Sequence, residues 1–179
     1  MKVMCVDDNA MHLSLIQQQL KAAGKKIGKE IEIIGTANNG ADGFKLYQEL
    51  LKKSSKPDFC TFDIRMPILD GLSTLMKMKH FYPMQKVIMV SSEDESTVSR
   101  KVGKASGIPQ AEKMQLLKKV EARILADTIE PGKISKILDA CEELLLDPID
   151  IAEHYKANGY LQKPYTLEAT EKVLNGIVS

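Results

Sequence analysis

Apolar and polar positions alternate along this chain with two different periods. Five short runs are apolar without helical spacing, which favours buried strands. These runs cover residues 3–6, 31–36, 59–62, 87–90 and 160–162. Between most of them, apolar residues recur every three or four positions, as on one face of a helix. The alternation predicts a parallel β-sheet covered by helices on both faces.

Capping residues suggest where these helices begin and end. Asparagine is a preferred N-cap residue, so Asn9 is predicted to begin a helix, and that helix is predicted to end at Gly24. The other helices that fit this pattern are predicted over 41–53, 70–80 and 166–178. Along 70–80, the residues expected on the buried side are Leu72, Leu75, Met76 and Lys79.

The interval between the fourth and fifth runs is about fifty residues longer than one helical crossover needs. It begins with a polar stretch, 93–107, that predicts a loop or weak helix. Amphipathic spacing then predicts helices over 110–126 and 133–146. Asp147-Pro148 is expected to end the second of these and to begin another, with Pro148 in its first position.

Composition and charge exclude several classes of protein. The 179 residues suffice for a sizeable core, and we expect 1–179 to form a single domain. A net charge of +1 gives no general attraction to nucleic acid. No apolar stretch approaches the ~18 residues of a membrane span, so neither nucleic acid nor membrane is an expected partner. Cys5, Cys60 and Cys141 are far apart and lack metal-site spacing, and Cys5 and Cys60 lie in apolar runs, as buried thiols do. Such thiols fit a reducing, cytoplasmic location.

Polar motifs follow four of the five predicted strands. They are Asp7-Asp8, Asp63, Ser91 and Lys163-Pro164. In open parallel sheets, ligands bind beyond the carboxyl ends of the strands, so we expect these side chains to lie close together. The histidines are isolated in the sequence, and surface or half-buried positions are expected for His12, His80 and His154.

The residue types in these motifs suit phosphoryl chemistry. Asp7 and Asp8 supply carboxylates of the kind that Mg²⁺ prefers, and Asp63 is a candidate nucleophile. Lys163 can pair with a phosphoryl oxygen, and the Ser91 hydroxyl can donate to another. Pro164 fixes the turn beyond Lys163. The pattern predicts an aspartate phosphoacceptor with Mg²⁺ as its cofactor.

Together the motifs resemble the receiver domain of two-component response regulators. The matching strings are Val6-Asp7-Asp8-Asn9, Asp63-Ile64-Arg65-Met66-Pro67 followed by Asp70-Gly71, Val90-Ser91-Ser92, and Gly159-Tyr160-Leu161-Gln162-Lys163-Pro164. The resemblance covers 1–92 and about 149–179. It implies an α/β, flavodoxin-like, doubly wound five-stranded parallel sheet in the order 2-1-3-4-5, with a helical insertion after the fourth strand.

The resemblance also implies a mechanism. It implies that Asp63 accepts a phosphoryl group from the phosphohistidine of a sensor histidine kinase or phosphotransfer protein, with Lys163 and Ser91 assisting. It implies that Mg²⁺ is held by Asp7, Asp8, Asp63 and the backbone carbonyl of Arg65.

Two further pairs of positions follow from the resemblance. Ser91 and Tyr160 would form the hydroxyl–aromatic switch pair. The side chains of Arg65 and Glu93 occupy positions that tune dephosphorylation in this family. Their combined effect here stays open.

The chain departs from the family in its long interval. We expect an insertion over approximately 95–148, beside the face that receivers commonly use for dimerisation and target binding. No residues for a separate output domain follow the last predicted helix, so output is expected through contacts with a downstream protein target. Homo-oligomer formation stays open, because the usual dimer face is the altered one.

Two other functions compete with this interpretation. A phosphatase of the haloacid dehalogenase type also uses aspartate, lysine and Mg²⁺. That family carries an Asp-x-Asp motif after the first strand, whereas Asp7 and Asp8 are adjacent here. A phosphorylation-independent pseudo-receiver or scaffold could bind partners through the inserted helices. Because every residue of the phosphoacceptor site is present, we expect a signalling protein that catalyses only its own phosphorylation and dephosphorylation.

Overall fold

The predicted strands form one parallel sheet, and their order in it, 2-1-3-4-5, is the order that the resemblance implies. The computed structural model describes residues 1–92, 109–126, 136–144 and 146–178. The strands are β1 (Lys2–Val6), β2 (Glu32–Ala37), β3 (Phe59–Asp63), β4 (Lys86–Ser91) and β5 (Gly159–Gln162). Each lies within a residue or two of its predicted position.

Helices connect the strands and cover both faces of the sheet. In the described residues they are α1 (Ala10–Lys26), α2 (Gly40–Lys52), α3 (Gly71–Phe81), α4 (Gln110–Leu125), α5 (Ile137–Leu144), α6 (Pro148–His154) and α7 (Leu167–Val178). The helices after β4 confirm the helical insertion. Asp147 caps α6 with Pro148 in the first turn, as predicted. The predicted loop over 93–107 and the position of Glu93 lie outside the described residues.

The prediction that Gly24 ends α1 is wrong. The helix continues to Lys26, and Gly28 has the left-handed φ of 68° that suits glycine just beyond a helix. Gly24 is instead buried inside the helix, where a Cβ atom would lie 2.7 Å from the carbonyl oxygen of Lys29. Glycine is needed there because the returning chain packs directly on the helix.

Side chains from alternate strand positions build two cores. Along β1, Val3 and Cys5 pack with α1 and α7, whereas Met4 and Val6 face α2 and α3. The second core is the larger, because it also contains apolar residues of the inserted helices. The insertion therefore enlarges one face of the sheet and leaves the other as a simple two-helix layer.

The first two turns of helix α3 are buried on every side, which corrects the expectation of a single buried face. Every residue from Gly71 to Met78 is buried. The three helices between β4 and β5, the inserted α4 and α5 and the following α6, all contact α3 and cover the side that would otherwise face water. Within the described ranges, none of the helices combines the length and apolar character needed to span a bilayer.

Candidate functional site

The predicted polar motifs meet at the carboxyl edge of the sheet. Asp7 follows β1, Asp63 ends β3, Ser91 ends β4 and Lys163 follows β5. Parallel pairing places Asp63 beside Val90, and Ser91 beside Gln162. The order of the strands thus converts motifs that are far apart in the sequence into neighbours in space.

Three carboxylates form a cluster at this edge. Asp7, Asp8 and Asp63 each offer an oxygen atom within 4.8 Å of the others. Asp7 and Asp63 are buried, while Asp8 is exposed to solvent. Hard oxygen ligands with one side open to water suit Mg²⁺, which keeps several of its waters when bound. The residues present therefore fit a magnesium ion.

Burial and like charge both act on Asp63. Desolvation raises the pKa of its carboxyl, and the hydrogen bond and positive charge of Lys163 lower it. The nearby charges of Asp7 and Asp8 raise it further. The cluster thus holds more negative charge than one lysine offsets, and a divalent cation would relieve that excess.

Lys163 bridges the two buried carboxylates. Its Nζ atom lies 2.7 Å from Oδ1 of Asp63 and 2.8 Å from Oδ2 of Asp7, and the side chain is only 10% exposed. The Lys163 backbone N–H donates to the Ser91 carbonyl at 2.7 Å, and the Lys163-Pro164 peptide bond is cis. The backbone of Lys163 is therefore held against the end of β4.

His12 also reaches the site, although its isolated position in the sequence gave no such expectation. It lies in the first turn of α1, and its half-buried ring places Nδ1 3.0 Å from Nζ of Lys163. The Asn9 side chain accepts from the backbone N–H groups of Met11 and His12, which fixes this turn. One feature of the sequence could have placed His12 at the site. It lies in the first turn of the helix that Asn9 caps, and Asn9 directly follows Asp7-Asp8.

Ser91 and Tyr160 lie on adjacent strands and on the same face of the sheet. Met89 pairs with Tyr160 and Ser91 pairs with Gln162, so side chains at alternate positions point to one side. Ser91 is buried and Tyr160 is half-buried against the larger core. Arg65 follows Asp63 by two residues, in the loop before α3, and its side chain is exposed.

The loop between β3 and α3 is tightly closed. The Gly71 N–H donates to the Ile64 carbonyl at 3.0 Å. A Cβ atom at Gly71 would overlap the backbone carbonyl of Asp63, so only glycine lets α3 start against the end of β3. The backbone of Asp63 is consequently held by the beginning of the next helix.

Asp70 is a second buried carboxylate in this loop, and it caps two helices. Its Oδ1 accepts from the Ser73 N–H at 2.8 Å, which caps α3. Its Oδ2 accepts from the Ser73 hydroxyl at 2.8 Å and from the Leu138 N–H at 3.4 Å. The Ser73 hydroxyl oxygen in turn accepts from the Ile137 N–H at 2.9 Å. The inserted helix α5 is therefore anchored to the beginning of α3.

Comparisons with known proteins agree with this architecture. The family model described as the response regulator receiver domain matches residues 3–128. A protein-glutamate methylesterase/protein-glutamine glutaminase 1 from Carboxydothermus hydrogenoformans is 45% identical over 93 residues, which are 51% of this chain and 24% of that protein. A protein-glutamate methylesterase/protein-glutamine glutaminase from Bacillus subtilis is 39% identical over 94 residues, 52% of this chain and 23% of that protein. The chain thus spans about a quarter of the length of these relatives.

Solved structures share the fold. A response regulator receiver domain protein from Clostridium thermocellum has a TM-score of 0.56 at 18% identity, covering 99% of this chain and 93% of that one. The chemotaxis protein CheY4 from Vibrio cholerae has a TM-score of 0.51 at 18% identity, covering 98% of this chain and 97% of that one.

Proposed function

This chain belongs to the response regulator receiver domain family, and from that premise we propose that Asp63 is its phosphoacceptor. The observation that carries the proposal is the cluster of Asp7, Asp8 and Asp63 with the Lys163 ammonium in contact with two of them. In the proposed step, a carboxylate oxygen of Asp63 attacks the phosphorus of the donor and forms a new P–O bond. The bond from phosphorus to the donor's nitrogen or oxygen breaks, and the leaving group keeps that electron pair.

Each neighbouring residue has a part in this step. Asp7, Asp8, Asp63 and the backbone carbonyl of Arg65 would hold Mg²⁺, which when bound offsets the charge of the phosphoryl oxygens. Lys163 already contacts the carboxylate that would be modified, so its ammonium can follow a phosphoryl oxygen placed there. Pro164 is proposed to fix the turn beyond Lys163.

The switch is proposed to run through Ser91 and Tyr160. The Ser91 hydroxyl would donate to a phosphoryl oxygen on Asp63, and Tyr160 would respond from the same face of the sheet. That face carries the inserted helices, so phosphorylation is proposed to alter the surface that they present to a downstream protein target.

The proposed upstream partner is a sensor histidine kinase or phosphotransfer protein, and the proposed location is the cytoplasm. Cys5 and Cys60 are buried free thiols and Cys141 is also buried, which suits a reducing compartment. We do not extend the relatives' methylesterase or glutaminase activity to this chain, because the matched part covers only 24% and 23% of those proteins. The proposed chemistry is limited to phosphorylation and dephosphorylation of the chain itself.

Treatment of the purified protein with acetyl phosphate and Mg²⁺ tests the proposal. We expect a mass gain of one phosphoryl group, with acetate released, in the wild type and in the control variant Asp150→Asn, which alters an exposed carboxylate on α6. Asp63→Asn should show no gain. A gain that survives Asp63→Asn, or no gain in the wild type with Mg²⁺ bound, would reject the proposal, and the second result would favour a phosphorylation-independent scaffold.

A further inference from the structure

The ammonium group of Lys163 has three acceptors around it. Two are the carboxylates of Asp7 and Asp63, and the third is Nδ1 of His12 at 3.0 Å. A lysine ammonium has three N–H bonds and no acceptor capacity, so this arrangement uses each N–H once. His12 is the one member of the set that carries no negative charge to share with a cation.

The contact between Lys163 and His12 sets a requirement on the imidazole. Because an ammonium can only donate, this contact is a hydrogen bond in the tautomer whose Nδ1 accepts and whose Nε2 carries the ring proton. The same Nδ1 lies 3.8 Å from Oδ1 of Asp7, which is too far for a hydrogen bond. The hydrogen-bonding contact of His12 in this site is thus with the lysine rather than with the carboxylate.

We propose that His12 is a positioning residue that holds Lys163 in place for phosphoryl transfer to Asp63. This inference rests on the function proposed above. Asp7 and Asp63 would share their oxygens with the cation, so before the phosphoryl group arrives both would offer less acceptor capacity to Lys163. His12 keeps its acceptor throughout, on a helical turn fixed by the Asn9 cap.

Substitutions that differ only in the acceptor test this role. Asparagine can place its Oδ1 near the position of histidine Nδ1, whereas leucine fills similar space without an acceptor. His80→Leu is the matched control, since His80 is an exposed histidine near the end of α3, away from the site. The phosphorylation rate with acetyl phosphate is measured across Mg²⁺ concentrations, so that the rate at saturation and the half-saturating concentration are separated.

We expect His12→Leu to lower the saturating rate about fivefold, the order of one hydrogen bond, with the half-saturating Mg²⁺ concentration unchanged. His12→Asn should recover most of that rate, and His80→Leu should match the wild type. An unchanged rate in His12→Leu, or an equal loss in the leucine and asparagine variants, would overturn the proposal in favour of simple packing.

A second readout is independent of phosphorylation. In the wild type without Mg²⁺, the ¹⁵N resonance of His12 Nδ1 should show a hydrogen-bonded acceptor, and in Lys163→Met it should move to the position of a free imidazole nitrogen. A resonance that does not move would refute the contact itself. If the contact is present but the wild type gains no phosphoryl group, the proposed function fails while the contact stands.

Discussion

Asp63 and Asp70 stand at the two ends of one short loop, and both carboxylates are buried with pKa values raised by desolvation. Their partners differ. Asp63 faces a lysine and two other carboxylates, on an edge that is open to a cation. Asp70 is surrounded by N–H and O–H donors from α3 and α5. The same residue type is therefore available for a reaction at Asp63 and fully occupied by hydrogen bonds within the fold at Asp70. The difference lies in the groups that surround each carboxylate.

The largest effect on stability is expected at Asp70. Asp70→Ala should lower the free energy of unfolding by about 3 kcal/mol, because it removes the α3 cap and leaves the Ser73 and Leu138 N–H groups without their acceptor. Denaturant unfolding measures the change. Asp63→Asn, which abolishes the proposed chemistry, should change stability by less than about 1 kcal/mol. Equal losses in the two variants would show that the two carboxylates do not differ as described.

A smaller effect is expected at Ser73. Ser73→Ala removes the hydroxyl that joins Asp70 to the Ile137 N–H, and should cost about 1.5 kcal/mol. Amide exchange should accelerate in α5 more than in α1, because the anchored end of α5 loses its acceptor. Ser14→Ala, at an exposed position on α1, is the matched control and should change neither quantity. Uniform acceleration across both helices would point to general destabilisation instead of a local anchor.

The smallest effect is a pH dependence that separates Asp63 from its amide variant. The folded state holds the Asp63 proton more tightly than the unfolded chain, whose pKa is near 3.8. As the pH rises from that value through the raised folded pKa, the ionised group therefore costs stability. We expect the stability of Asp63→Asn relative to the wild type to increase across this window and then to level off, in the absence of Mg²⁺. Parallel curves for the two proteins would contradict the raised pKa.

Much of the fold followed from the sequence because strand signals are local. Five short apolar runs, four of them with a polar motif at the carboxyl end, were sufficient to predict a parallel sheet and to bring Asp63 and Lys163 to one edge. The contact of His12 with Lys163 was not predictable in this way, because the two residues come from distant segments and meet only in the folded protein.

The burial of α3 shows why hydrophobic periodicity alone was insufficient to predict which of its residues are buried. Its second face carries Ser73, Thr74 and Lys77, which look like solvent-facing residues in the sequence. The Thr74 hydroxyl donates to the Asp70 carbonyl at 2.7 Å, and the Lys77 ammonium lies 5.0 Å from the centre of the Phe44 ring. Polar side chains that find such partners can be buried, so a polar face does not by itself indicate exposure to water.

The enclosure of α3 has a consequence for anyone who wishes to shorten this protein. Removing the inserted helices to obtain a minimal version would strip the cover from a helix whose residues from Gly71 to Met78 are all buried. The freshly exposed methionine and leucine side chains would promote self-aggregation. A soluble miniature of this receiver therefore requires a redesigned outer face on α3, with charged residues in place of apolar ones, before any of the insertion is deleted.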